Sequence, residues 1–99
     1  AHASPGRHAR HYSPRTPLLL VAGGVLPASG RGAYLWIRTP AAADSCIHMP
    51  DDATAYASVL YDTLHREDVK GWDWIAVEIP PESPDWLGVR DRLARAAAL

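Results

Sequence analysis

Residues 51–80, DDATAYASVLYDTLHREDVKGWDWIAVEIP, read as an amphipathic helix running into a buried strand. Asp51 and Asp52 offer an N-cap, because a short acidic side chain can accept a hydrogen bond from an unpaired amide of the first helical turn. Tyr56, Val59, Leu60, Thr63 and Leu64 then recur at three- and four-residue spacing, which predicts one apolar face on a helix ending near Gly71. In the strand, Ile75, Val77 and Ile79 alternate with Ala76 and Glu78, the period of an extended chain whose side chains point to opposite faces in turn. Trp72 or Trp74 is expected to seal its entrance.

Downstream, PPESPD supplies Ser83 as an N-cap and Pro84 at a first helical position. Trp86, Leu87, Val89, Leu93 and Ala97 can then line one side of a terminal helix. Upstream, PLLLVAGG from Pro17 is a short apolar run bounded by Pro and Gly, the pattern of a strand covered on both faces. VLPASGRG reads as loop, AYLWIRT as a second strand, and Ser45–Met49 as a short third one. Strands separated by helical patterns predict an α/β domain with a mostly parallel sheet of about four strands and two clear helices. Residues 23–32 are barely long enough for the first crossover. Residues 1–16, rich in His, Arg and Pro without apolar periodicity, read as a linker or arm ahead of a single domain over 17–99.

Ninety-nine residues allow one core, and 47% hydrophobic with 21% charged residues is a globular composition. The net charge of −1 divides unevenly: Arg7, Arg10 and Arg15 give the first fifteen residues +3, leaving −4 on the body. The longest apolar run, from Leu18, falls far short of the roughly 20 residues that span a bilayer, so no membrane segment is expected. A single cysteine, Cys46, excludes an internal disulfide and fits a reducing cytosol.

The residues that could carry chemistry each have a plainer role. GGVLPASGRG lacks the spacing of a dinucleotide loop and the Lys and Ser/Thr of a P-loop. His2, His8 and His11 are close in sequence but have no carboxylate among them to complete a metal site. Cys46 and His48 would point the same way on a strand, as a nucleophile pair needs, and equally as packed strand residues do. The acid pairs Asp51–Asp52 and Glu67–Asp68 are expected to cap helix ends and face solvent. The tryptophans are flanked by Asp73, Glu78, Glu82 and Asp85, the wrong charge for a nucleic-acid stacking platform, so direct nucleic-acid binding by the body is not expected.

The arm, SPGRHARHYSPRTP over Ser4–Pro17, resembles without a gap the linker SPGMKYRHYAPKTP of two-domain threonylcarbamoyl-AMP synthases, the YrdC-domain-containing family of tRNA modification. Residues 49–81 and VRDRLARAAA resemble the same family's C-terminal domain. The resemblance implies a small Rossmann-like three-layer α/β unit that carries no catalytic residue of its own. In that family a separate YrdC-type catalytic domain uses ATP, L-threonine and bicarbonate, with Mg, to make threonylcarbamoyl-AMP in the cytoplasm. The linker lies across the mouth of the catalytic cleft, so Ser4, Pro5, Gly6, Arg10, His11, Tyr12, Pro14 and Arg15 are implied as the linker and gating interface. The implied partner is the YrdC-type domain, and the chain alone is expected neither to catalyse nor to hold a cofactor. Arg7, His8 and Ala9 depart from the family pattern, and residues 23–44 are shorter than its strand, helix and strand there. The alternative is a standalone, diverged Rossmann-like module that binds a nucleotide or a protein.

Overall fold

The computed structural model describes residues 13–97. The strands are β1 (Leu18–Val21), β2 (Gly32–Trp36), β3 (Ser45–His48) and β4 (Trp74–Glu78); the helices are α1 (Ala53–Asp68) and α2 (Leu87–Ala97), the latter entered through a 3-10 turn at Pro84–Trp86. The sheet order is β1-β4-β2-β3 and every pairing is parallel, with Leu18 opposite Ile75, Gly32 opposite Trp74 and Ala33 opposite Ser45. This is the expected small α/β domain.

The strand with the strongest pattern is a central one. Ile75, Ala76 and Val77 of β4 are wholly buried, and each face of the strand has its own cover. Ile75 and Val77 join Leu18, Ala33 and Leu35 in a core with Tyr56, Leu60 and Leu64 of α1 and Val89, Leu93 and Ala96 of α2. On the opposite face Tyr34, Trp74 and Ala76 are covered by Leu26, Ala41 and Ala43, which belong to the two loops flanking β2. The third layer is therefore loop, which is how residues 22–31 cross the sheet without room for a helix.

That loop layer is tied down by hydrogen bonds. The Tyr34 hydroxyl accepts from the Gly24 amide at 2.9 Å and donates to the Thr39 carbonyl at 2.7 Å, joining both loops to β2. The Trp74 indole N–H donates to the Ser29 carbonyl at 3.0 Å. The indole lies directly over Gly32, where an added Cβ would come within 2.2 Å of its ring carbons, so no side chain fits at that position.

Several expectations need correction. β1 is an edge strand, with Leu19 and Leu20 partly exposed rather than covered on both faces. Val59 and Ile79 are exposed: the first lies on the flank of α1, and the second falls just beyond the end of β4. Leu87 is 69% exposed, because the 3-10 turn shifts the phase of α2 and turns Ala96 inward instead. Asp52 does cap α1, accepting the Ala55 amide at 2.9 Å, but the Ser83 side chain makes no capping bond.

Glu67 is not solvated surface but 2% exposed, accepting from the Trp72 indole at 3.0 Å and the Lys70 ammonium at 3.1 Å. Burial raises its carboxyl pKa, and the bonds from Trp72, Lys70 and Ser45 outweigh that effect and hold it below the ordinary carboxylate value.

Leu60 and Val59 separate core from flank. Leu60→Ala, which empties a wholly buried position, is expected to cost about 3 kcal/mol in urea denaturation. Val59→Ala should change stability by no more than about 0.5 kcal/mol.

Candidate functional site

Parallel α/β sheets take their ligands outside the carboxyl ends of the strands, so that edge comes first. Here β1 runs into Gly23–Gly24, β2 into Ile37–Thr39, and β4 ends on Glu78. Glu78 Oε1 accepts the backbone N–H groups of Ile37 at 2.7 Å, Arg38 at 3.0 Å and Thr39 at 3.3 Å. The Gly23 backbone presses against the same place: an added Cβ would lie 2.6 Å from Thr39 Oγ1 and 3.2 Å from Glu78 Oε2. Burial raises the Glu78 pKa, and the three amides with the Thr39 hydroxyl bring it below the ordinary carboxylate value. At this edge the Glu78 and Thr39 side chains lie against the Gly23 backbone.

The opposite end of the sheet holds residues 13–16, the described end of the arm. The Ser13 hydroxyl donates to the Ala96 carbonyl at 3.0 Å, in the last turn of α2, and Pro14 is buried. The Asp68 carboxylate, at the last residue of α1, accepts the Arg15 amide at 3.0 Å, the Thr16 amide at 2.9 Å and the Thr16 hydroxyl at 2.7 Å. Pro17 then continues into the sheet, its carbonyl accepting the Ile75 amide at 2.9 Å. A carboxylate in the last helical turn opposes the helix dipole. Asp68 sits there against that preference and is offset by the donors it collects from the arm.

Of the residues implied as gating interface, Pro14 and Arg15 lie in this anchor; Pro14 is buried and Arg15 exposed, its amide rather than its guanidinium making the contact with Asp68. Ser4, Pro5, Gly6, Arg10, His11 and Tyr12 lie outside the described residues, as do His2 and His8. Asp68 was expected as a helix-end cap facing solvent and instead binds Arg15 and Thr16, although an acid in a final helical turn was a signal against the dipole rule.

Cys46 and His48 do not form a nucleophile pair. The Cys46 thiol is directed at the carbonyls of Ala41 and Ala43, at 3.3 and 3.5 Å. The His48 ring stacks on Trp36 with centroids 3.8 Å apart, and its Nε2 lies 3.1 Å from the Ile37 carbonyl. Among the described residues no group of three or more His, Cys, Asp or Glu is arranged to hold a metal ion, and no helix is long and apolar enough to cross a membrane. A groove of about 460 Å³ lies beside the sheet between Leu20, Ile79, Pro80, Leu87 and Leu93, with Arg90 and Asp91 at its rim.

A family model described as "Threonylcarbamoyl-AMP synthase, C-terminal domain" matches residues 1–98. The chain belongs to that family. Comparison with curated proteins and with solved structures returns no match. The threonylcarbamoyl-AMP synthase C-terminal domain match takes in the arm as well as the body, so the anchor at Asp68 lies inside the family unit and not at its boundary.

Asp68→Ala is expected to lower stability by about 1–3 kcal/mol, since it strands the partly buried amide and hydroxyl donors of Thr16, and to speed hydrogen exchange of the Thr16 amide. The depressed folded-state pKa values of Glu67 and Glu78 set the sign of the acid response. Their contribution is complete above the unfolded value of 4.5 and is lost as pH falls through the lower folded values. Denaturation midpoints measured from pH 7 to pH 3 should therefore fall steadily below about pH 4.5, and less steeply in Glu78→Gln.

Proposed function

We propose that this chain is a non-catalytic accessory domain of a threonylcarbamoyl-AMP synthase, whose arm gates the ATP and L-threonine site of a YrdC-type catalytic domain. The product serves threonylcarbamoyladenosine synthesis on tRNA, in the cytoplasm, with ATP, bicarbonate and Mg used by the catalytic domain and none by this one. The observation that carries the proposal is the anchor: Arg15 and Thr16 are held by Asp68 inside a unit that the family match covers from residue 1 to 98.

A fixed anchor limits where the arm can act. Arg10 is six residues from Thr16, so its Cα stays within about 20 Å of the anchor even when the chain is fully extended. Tethering raises the effective concentration of Arg10, His11 and Tyr12 over any cleft within that radius. An arginine can meet a nucleotide phosphate with a forked pair of charge-assisted hydrogen bonds, while Tyr12 and His11 can cap the base or pin the arm. Pro5, Pro14 and Gly6 would set the path of the chain between Ser4 and Arg15.

The test is steady-state kinetics of threonylcarbamoyl-AMP formation in the two-domain protein. Arg10→Ala, which removes a charged hydrogen-bonding group worth about 1.5–3 kcal/mol, should lower kcat/KM for ATP by at least about 10-fold. Asp68→Ala should lower it by a smaller factor through loss of the anchor. Wild-type kinetics in both variants would sink the gating role. ATP binding by this chain alone, measured by titration calorimetry, would instead favour the standalone nucleotide-binding module.

A further inference from the structure

Glu78 is a buried carboxylate for which the proposed gating role has no use. It is 8% exposed and, among the described residues, forms no ion pair. Its charge is balanced instead by three consecutive backbone N–H groups, those of Ile37, Arg38 and Thr39, converging on one oxygen within 3.3 Å. Successive amides directed at one point form the concave nest that binds phosphate and other anions in many folds. The nest lies at the carboxyl ends of β2 and β4, where α/β sheets take ligands, and a glycine pair after β1 lets the backbone approach it closely.

We infer that residues 37–39 form an anion-binding site whose resident ligand is the chain's own Glu78 carboxylate, so that the ligand edge of the sheet is closed from within. The chemical class the cradle takes is a small oxyanion. The side chain reaches it as a tethered ligand, and at that effective concentration no free phosphate at millimolar level displaces it. This inference goes beyond the gating role and holds whether or not the arm gates: it assigns the Rossmann-like body an occupied, self-blocked site.

The groups facing Glu78 fit this arrangement. Tyr34 from β2 and Tyr56 from α1 each feel its charge, after the larger effect of their own burial, and both hydroxyls are held above their ordinary pKa. The Tyr56 hydroxyl has no hydrogen-bond partner among the described residues. From the loop, the Arg38 guanidinium turns away toward Asp51 at 3.4 Å and leaves Glu78 to the three amides and the Thr39 hydroxyl.

Chemical rescue tests the inference. Glu78→Ala removes the ligand and keeps the cradle; its melting temperature should rise, with saturation, on adding sodium acetate or inorganic phosphate, and not with sodium chloride at equal ionic strength. Wild type should respond to none of the three. A rise with acetate alone would mean that the cradle keeps the shape of a carboxylate, whereas a rise with phosphate would mean that it also admits tetrahedral oxyanions; both support the inference. A folded Glu78→Ala indifferent to both anions would overturn it. Should Glu78→Ala not fold in any buffer, Glu78→Gln gives the readout: the amide resonances of Ile37, Arg38 and Thr39 should titrate at acid pH in wild type and not in the variant. The same titration in both would equally overturn it.

Discussion

Everything in this fold follows from the need to cover both faces of β4 with very little chain. Ile75, Ala76 and Val77 are wholly buried in a strand that has neighbours on both edges, so each face must be sealed by something other than sheet. Two helices are available and both go to the same face, where Leu60, Leu64 and Leu93 complete the core. The other face is left to loops, and loops cover a sheet only if their backbone polar groups are satisfied. The Tyr34 hydroxyl, the Trp74 indole and the Glu78 carboxylate make those bonds. Polar side chains in the core of the sheet thus stand in for the missing helix.

The same economy divides the domain into two unlike ends. At the carboxyl ends of the strands, the loops that cover the sheet are bound to Glu78, and the usual ligand position is taken up in holding them. At the amino ends, Asp68 and the Ala96 carbonyl collect the incoming arm. The body that results binds its own chain at both ends.

The elements with strong periodicity were legible in sequence: α1 and β4 follow from residues 51–80, and the parallel sheet from the alternation of strands and helical patterns along the chain. Periodicity overreached at the margins, at Val59 and Ile79, and elsewhere the errors fall where it gives no information. Nothing in LLLV distinguishes an edge strand from a central one, and a 3-10 turn at Pro84–Trp86 resets the phase by which Leu87 had been placed in the core. The acids were hardest. Glu67, Asp68 and Glu78 look like surface residues because charge usually is; Asp68 and Glu78 are instead held by donors far away in sequence, and Glu67 by Lys70 and Trp72 just past the end of its own helix. Of the implied gating residues, Pro14 and Arg15 lie in the anchor, and the family match covers the whole arm.

The central claim is that the arm, and not the sheet's ligand edge, is the working surface of this domain. The most direct measurement is amide NMR of the isotope-labelled chain, titrated first with ATP and then with a YrdC-type catalytic domain. The account predicts that ATP alone moves no resonance of Gly23, Gly24 or residues 37–39, and that the catalytic domain shifts the amides of the arm from Gly6 to Thr16. Shifts at the Glu78 cradle with ATP alone, and none in the arm with the catalytic domain, would contradict it.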